Sequence, residues 1–419
     1  MELLVVCVYN ILTEKRDEIK RKLGEGIEIK KILVKSKDKG RKYKVDDSLI
    51  TLNYEDIIND PEIQIIVELI GGEYPALNYI KEAINNKKNI VTANKLVIAK
   101  YAEEIFKLAK KNKVKVYYEG SVGAGIPIIK TLKESMIANK IKKIYGILNG
   151  TTNYILTEMI EKHVTFKEAL EEAQKLGYAE SNPYFDISGW DAAYKIGILS
   201  SLAYETFIDV NSLHVEGIEK IEKEDIEISE ELGYSIKLLA IAKNINDKTL
   251  DIRVHPTFVS QKNPLSKIND VYNVVQIHGD AVGDIMIYGK GAGEMPTASA
   301  VVADIMEASK SIKYKIENEQ ISNGVNGQKL ISIEDVENAF YIRLKVNDKP
   351  GVFAKIAKVF GDNEVSIASV IQKNRLTPVV PIFLLTHPIR EKNLKDAIKS
   401  LEKIEDVIEV KNIIRVEDF

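Results

Sequence analysis

The sequence predicts an α/β protein: a doubly wound, Rossmann-like parallel sheet, then an α+β domain, then a C-terminal βαββαβ module. Three observations carry that expectation. Short apolar runs alternate with helical patterns from Val8 to Tyr118. One of those runs, Ile63 to Ile70, is almost continuously apolar, as befits a strand buried on both faces. After a polar stretch from Lys310 to Glu337, a fresh alternation of strand and helix patterns begins at Ala339. A chain of 419 residues also exceeds one ordinary core, so two or three domains are expected.

Taken in order, Met1 to Cys7 is a short apolar run. Val8, Ile11, Leu12, Ile19 and Leu23 then recur at helical spacing, and Gly24 or Gly26 ends that helix. Ile27 to Val34 alternates as a strand, Leu49 to Leu52 is a second, and Asn53 or Asp56 begins a brief helix. The Ile63–Ile70 strand meets Gly71 and Gly72 at once. A helix from Pro75 to Asn86, a strand from Asn89 to Thr92, a helix from Leu96 to Lys111 and a strand from Val114 to Tyr118 complete the parallel sheet. Ligands on such sheets bind at the carboxyl ends of the strands, which here carry Gly71, Gly72, Thr92 to Lys95, and Glu119 onward. A dinucleotide fold opens with strand, G-x-G-x-x-G, helix. Nothing between Met1 and Val8 contains a glycine, although the following helix is present. The expectation is a first strand and loop lost or replaced, and weak dinucleotide binding by the chain as it stands.

Beyond the sheet, Ile128 to Met136 reads as a helix, Lys142 to Leu148 as a strand and Phe166 to Leu176 as a helix. Leu250 to Val259, Val271 to His278 and Ile285 to Tyr288 supply a second sheet. The small-residue loop Gly289 to Thr297 precedes a helix, Ala298 to Ser309, expected to return to the first domain. Turn signals at Asn323-Gly324 and Asn326-Gly327 mark a linker. The final module is a strand Phe340–Val346, a helix Ala354–Phe360, strands Val365–Gln372 and Val379–Thr386, a helix Asn393–Lys403 and a strand Ile408–Val416. The expected domains are residues 1–127 with the helix near 298–312, residues 128–297, a linker over 313–338, and residues 339–419.

Composition narrows the class. Hydrophobic residues make up 45% and charged residues 29%, as in folded globular proteins. The net charge of -3 has no basic excess to recruit nucleic acid. No apolar run spans a bilayer, and the apolar N-terminus lacks a basic leader and a cleavage site, so no membrane or signal segment is expected. The single cysteine, Cys7, excludes an internal disulfide and suits a reducing cytoplasm. His163, His214, His255, His278 and His387 show no metal-ligand spacing, so no zinc site is expected.

The chemistry concentrates in GYAESNPYFDISGWDAAYKIGIL, Gly177 to Leu199. A helix begins near Gly189 and sets Asp191 and Lys195 four apart, on one face. Glu180 and Asp186 lie just upstream. Three carboxylates and one ammonium suit an amino-acid-like substrate and a proton transfer. The same pair would also make an exposed ion pair worth a few tenths of a kcal/mol, roughly. The surrounding Ile187, Trp190, Ala193, Tyr194, Ile196 and Ile198 favour burial, and a buried charge must be paired or functional. Elsewhere, Val34-Lys35-Ser36-Lys37 has no acidic residue to hold ribose hydroxyls and suits a 2′-phosphate, so NADP is expected ahead of NAD; a solvated lysine turn would read the same. Asn149-Gly150-Thr151-Thr152-Asn153 puts hydroxyls and amides at a helix start, which suits an anionic group or an ordinary cap. The run Glu119 to Pro127, rich in glycine and small residues, leaves carbonyls available to a hard cation.

These stretches resemble one family. Gly177–Leu199 is similar to the substrate motif of homoserine dehydrogenases, Thr92-Ala93-Asn94-Lys95 to their T-A-N-K motif, and Asn149-Gly150-Thr151 to their N-G-T motif. Asp348-Lys349-Pro350-Gly351-Val352, within the βαββαβ order, resembles the turn of an ACT domain. The resemblance covers nearly the whole chain after about Val8. It implies interconversion of L-homoserine and L-aspartate 4-semialdehyde, in the route to threonine and methionine, with residues 128–297 as a substrate and dimerisation domain. Lys195, or else Lys95, is implied as proton donor, with Asp191 holding Lys195. Glu180, Asp186 and Thr151 are implied at the substrate, and Gly71, Ala93, Lys95 and Gly291 at the NADP or NAD cofactor. Glu119, Val122, Ala124 and Ile126 are implied around a monovalent cation such as sodium, mostly through backbone. The tail is implied to bind an amino-acid effector, threonine by analogy, at Asp348, Gly351 and Val352, in a dimeric or tetrameric homo-oligomer. Removing Ala339 to Phe419 is then expected to abolish regulation and spare catalysis. The rival expectation is a non-catalytic amino-acid sensor that has lost the dinucleotide loop.

Overall fold

A computed structural model describes residues 2–36, 45–316, 327–373 and 377–417. Lys37, Asn323, Gly324 and Asn326, named above, lie outside the described residues. The chain forms two compact units. One gathers Met1–Lys142, Tyr194–Ser212 and Val275–Gly327; the other gathers Lys143–Ala193, Leu213–Val274 and Gln328–Phe419.

In the first unit, strands Ile65–Glu68, Asn89–Thr92 and Val116–Tyr117 pair in parallel, in that order. Ile32–Leu33 and Ile50–Thr51 form a separate parallel pair. The strand expected over Ile27–Val34 shrinks to two residues because its partner offers only Ile50 and Thr51. The crossover helices are Ala76–Asn85 and Lys95–Asn112. Ala76, Leu77, Ile80, Ala83 and Ile84 form the buried stripe of the first. Asn94 caps the second by accepting the Val97 N–H at 3.2 Å. The N-terminal helix begins at Glu2 rather than Val8, runs to Glu14, and resumes over Arg16–Leu23 before left-handed Gly24 stops it. Its apolar start is helical because Cys7, Val8 and Leu12 share a core with Ala298, Val301, Val302 and Ile305 of the helix Glu294–Lys313. The helix expected over Ile128–Met136 is three residues, Ile128–Lys130, followed by a wider turn that the Met136 N–H closes on the Thr131 carbonyl at 2.9 Å.

In the second unit, Tyr234–Asn244 pairs antiparallel with Thr249–Ser260 on one side and with Ile141–Ile147 on the other. Tyr234–Asn244 and the helix Lys223–Glu231 are absent from the expectations above. Lys237 and Lys243 break the apolar run, yet Lys237 is fully buried. Its ammonium donates to the Ile268 carbonyl at 2.6 Å, to Asn269 Oδ1 at 2.9 Å and to Asn153 Oδ1 at 3.3 Å. Burial pushes its pKa down to about 8.

The C-terminal module has the expected βαββαβ order, over Glu337–Asn347, Val352–Asp362, Ile367–Gln372, Val379–Thr386, Glu391–Leu401 and Val407–Glu417. Its antiparallel strand order is fourth, first, third, second. Phe340, Ile342, Leu344, Ile356, Phe360 and Leu394 lie in its own core. It is not tethered only by a flexible linker, as the polar stretch suggested. Lys329–Leu330 pairs in parallel with Thr249–Leu250, and Arg415–Glu417 pairs in parallel with Thr257–Val259. One sheet therefore runs from the module into the rest of this unit.

Buried ion pairs line that seam. Arg253, 1% exposed, meets Asp251 at 3.1 Å, Glu417 at 3.2 Å and Asn338 Oδ1 at 3.1 Å. Glu417 also accepts from Tyr145 at 3.0 Å and pairs with Lys243. Arg343 contacts Asp225 at 2.9 Å and Glu222 at 2.7 Å. Arg415 bridges Glu391 at 2.7 Å and Glu216 at 2.9 Å. Burial alone would raise the Glu216 carboxyl, but His214 and the Arg415 guanidinium more than offset it and hold it well below the usual range. Among the described residues no helix is long and apolar enough to cross a membrane.

Candidate active site

The first unit presents its chemistry at the carboxyl ends of the parallel strands. Glu68, 4% exposed, ends one strand. Its Oε1 accepts the N–H of Ile70 at 2.7 Å and of Gly71 at 3.2 Å, and its Oε2 accepts the Thr92 hydroxyl at 2.6 Å. One carboxylate thus ties two strand-end loops together, a role the sequence reading missed. Gly71 and Gly72 are both left-handed, at φ 70° and 71°, which only glycine adopts cheaply. Asn94 Nδ2 donates to the Gly72 carbonyl at 2.8 Å. Ala93 faces Gly120, where an added Cβ would meet Ala93 Cβ at 3.0 Å. Lys95 is the first residue of its helix, where a positive charge opposes the helix dipole. Gly291 is buried in the loop before Glu294–Lys313. Gly71, Ala93, Lys95 and Gly291 all belong to this unit.

The Glu119–Ile126 loop is buried at Glu119, Val122, Ala124 and Ile126. The Glu119 carboxylate is engaged by backbone: its oxygens accept the N–H groups of Ile129 and Lys130, each at 2.8 Å. Asp304 Oδ2 accepts the Glu119 N–H at 2.8 Å. Burial pushes Asp304 up to about 7 and Lys133, which lies over the Tyr118 ring, down to about 8. Gly123 and Ala124 are consecutive left-handed residues, at φ 71° and 49°, a conformation that costs alanine roughly 1–2 kcal/mol. The carbonyls of Val122 and Ala124 accept no hydrogen bond among the described residues. Buried, unsatisfied carbonyls on a strained turn fit a hard cation held by backbone oxygen. Among the described residues no cluster of three His, Cys, Asp or Glu side chains could hold a metal.

The second unit supplies carboxylates. The helix Trp190–Ala203 follows left-handed Gly189, where an added Cβ would lie 3.1 Å from the Glu216 carbonyl oxygen. Asp191, 2% exposed, belongs to this unit; Lys195, 8% exposed and one turn along the same helix, falls in the first. Asp186 sits on the short helix Tyr184–Ile187. Asn149 brings the two carboxylates together: its Nδ2 donates to Asp186 Oδ1 and to Asp191 Oδ2, each at 2.8 Å. Asn149 also caps the helix Gly150–Lys162, its Oδ1 accepting the Thr152 N–H at 2.8 Å. The N–H groups of Gly150 and Thr151 have no partner among the described residues. Thr151 Oγ1 donates to the Tyr178 carbonyl at 2.7 Å, so toward a ligand it is left as an acceptor. Glu180 is exposed, its carbonyl accepting from Gln174 Nε2 at 3.1 Å.

Gly217 underlies this arrangement. An added Cβ there would fall 2.2 Å from the Ile187 carbonyl oxygen and 2.7 Å from the Ser188 Cα, backbone atoms that cannot swing aside. Gly217→Ala is expected to cost roughly 1–3 kcal/mol, read as a lower urea midpoint at unchanged slope. In the tail, Gly351 is left-handed at φ 89° and opens the helix Val352–Asp362. The Asp348 N–H donates to the Pro378 carbonyl at 2.9 Å, Asp348 and Gly351 are exposed, and Val352 is buried.

Comparison with known proteins bears on all three regions. Residues 7–119 match the family model described as homoserine dehydrogenase, NAD binding domain; residues 127–306 match homoserine dehydrogenase; residues 340–406 match the ACT domain. The homoserine dehydrogenase of Neisseria gonorrhoeae is 39% identical over 98% of this chain and 95% of its own length. Among solved structures, a homoserine dehydrogenase from Thiobacillus denitrificans aligns with a TM-score of 0.93 at 39% identity, covering 100% of this chain and 96% of that one. A hyperthermophilic archaeal homoserine dehydrogenase in complex with NADPH aligns with a TM-score of 0.56 at 28% identity, covering 73% of this chain and 84% of that one.

Proposed function

The chain belongs to the homoserine dehydrogenase family of oxidoreductases, and from that premise we propose that it interconverts L-homoserine and L-aspartate 4-semialdehyde, on the route to threonine and methionine. The observation that carries this reading is the buried turn bearing Asp191 and Lys195, with Asp186 tied to Asp191 through Asn149. Glu180 and Asp186 would bind the substrate ammonium and hydroxyl. The helix start at Gly150 and Thr151, with unpartnered N–H groups, suits the substrate carboxylate. A bound nicotinamide supplies the hydride acceptor or donor. In the reducing direction Lys195 gives its proton to the aldehyde oxygen as that oxygen gains charge; in the oxidising direction it takes the hydroxyl proton. Asp191, one turn away, orients Lys195. Lys95 is the second candidate for that proton. The non-catalytic sensor reading is not favoured, because the likeness to homoserine dehydrogenases extends over both the catalytic and the dinucleotide-binding domains.

Residues 1–127, with the helix near 298–312, would hold the dinucleotide; residues 128–297 the substrate; residues 339–419 the effector. NADP is preferred to NAD because Lys35 and Ser36 follow Ile32–Leu33 without an acidic residue. The archaeal relative bound to NADPH points the same way. A monovalent cation such as sodium would sit on the carbonyls of Glu119, Val122, Ala124 and Ile126, and the active form would be a homo-oligomer. The direct test is absorbance at 340 nm with L-homoserine and NADP. Absence of homoserine-dependent turnover with either NADP or NAD would overturn the reading. Threonine is proposed to bind at the Asp348–Val352 turn. Gly351→Asp should then raise the threonine concentration for half-inhibition by roughly tenfold or more, about 1.4 kcal/mol of effector binding, with kcat unchanged. Equal threonine titrations of the two proteins would remove the effector site from this turn.

A further inference from the structure

We propose that Asn149 is a positioning residue for the reaction: a neutral clamp that fixes Asp186 and Asp191 relative to each other without discharging either. This rests on the functional reading above and adds a residue that it does not assign. Asn149 is 4% exposed and lies where the strand Ile141–Ile147 gives way to the helix Gly150–Lys162. Its orientation is settled by chemistry. The Thr152 N–H, 2.8 Å away, can only donate, so the atom facing it is Oδ1. The amide nitrogen therefore faces the carboxylates, and its two protons serve two acceptors, Asp186 Oδ1 and Asp191 Oδ2, at 2.8 Å each. Those oxygens can be no farther apart than twice that distance. They come from different helices, Tyr184–Ile187 and Trp190–Ala203.

Two carboxylates this close repel, and something must hold them. An amide supplies two directed hydrogen bonds and no net charge. The carboxylate geometry is set before the ligand arrives. Because the same side chain caps the helix, the clamp is anchored to the backbone that carries Gly150 and Thr151. Substrate carboxylate site and substrate ammonium site are then held in register by one residue.

The test uses Asn149→Ser, which keeps an N-cap hydroxyl and removes the bridge, and Asn149→Asp, which keeps the shape and replaces both donors by a third carboxylate. Each is made in the full chain and in combination with Asp186→Asn, with folded fraction checked by circular dichroism. Asn149→Ser is expected to lower kcat/KM for homoserine by the order of 10²-fold, with KM for NADP unchanged. Asp186→Asn should cost markedly less in the Asn149→Ser background than in the wild type, because the carboxylate it removes is already misplaced. Asn149→Asp should be at least as slow as Asn149→Ser despite its preserved shape and cap. A purely structural cap predicts the reverse: lower stability, near-normal turnover per folded molecule and independent costs in the double variant. That result overturns the inference while wild-type turnover stands. A wild type inert toward homoserine would instead overturn the functional reading, and this inference with it.

Discussion

Lys195→Ala is expected to lower kcat by roughly two to four powers of ten, with dinucleotide affinity unchanged. Lys195 is 8% exposed and stands one turn from Asp191, which is 2% exposed. Few lysines are so deeply placed without a task. Alanine leaves the developing alkoxide without its proton donor and leaves Asp191 without the ammonium one turn along. Lys195→Arg separates charge from proton transfer. Arginine keeps the positive charge but does not deprotonate in proteins, so it should be nearly as slow as alanine. The measurement is steady-state turnover in both directions, paired with a fluorescence titration of the cofactor. If Lys195→Ala turns over at close to the wild-type rate, the proton passes through another group, and Lys95 becomes the first to examine.

Deleting Ala339 to Phe419 is expected to leave no folded enzyme at all, against the expectation drawn from the sequence. The deletion removes Glu417, Arg415 and Arg343 together. Arg253 loses its Glu417 contact at 1% exposure, Asp225 loses Arg343, and Glu216 loses Arg415. Breaking one buried pair costs about 3–5 kcal/mol, and a domain is stable by only about 5–15 kcal/mol. The strand Thr249–Ser260 also loses its partner over Thr257–Val259. Soluble yield and a thermal melt of the truncated chain decide the matter. A cooperative transition within a few degrees of the full chain, with homoserine turnover retained, would show the seam to be dispensable.

The two outcomes mark what the sequence could and could not convey. Parallel strands and their helices were readable because each has its own periodicity: IQIIVELI is apolar enough, and Lys95–Asn112 long enough, to be recognised alone. Asn89–Thr92 and Val379–Thr386 match their expected spans for that reason. Tyr234–Asn244 was not readable, since two lysines interrupt it and the groups that satisfy Lys237 lie at Asn153 and Ile268–Asn269, far along the chain. The catalytic-type residues Asp186, Asp191 and Lys195 stood out as charges inside an apolar stretch. Asn149 and Glu68 did not, because their significance lies in which oxygens and N–H groups they join, and pairing across distant segments leaves no local trace. The linker was misjudged on similar grounds. Polar composition near Lys310–Glu337 describes the segment, whereas the ladder between Arg415–Glu417 and Thr257–Val259 depends on residues that composition does not connect.

That ladder also sets an order of events during synthesis. Thr249–Ser260 leaves the ribosome well before its partner Val407–Glu417 exists. At about 5–20 residues per second, the wait is roughly 7–30 s. Throughout it, Thr257–Val259 is an open stretch of strand edge, the kind of surface that recruits other nascent chains. Arg253 then has its Asp251 partner but not Glu417. A foreign strand that docked there would have to bury the guanidinium without that second carboxylate. Glu417 brings the carboxylate that completes the Arg253 pairing. The ion pair that ties the module to its neighbour thus also favours the chain's own strand over a foreign one at that edge.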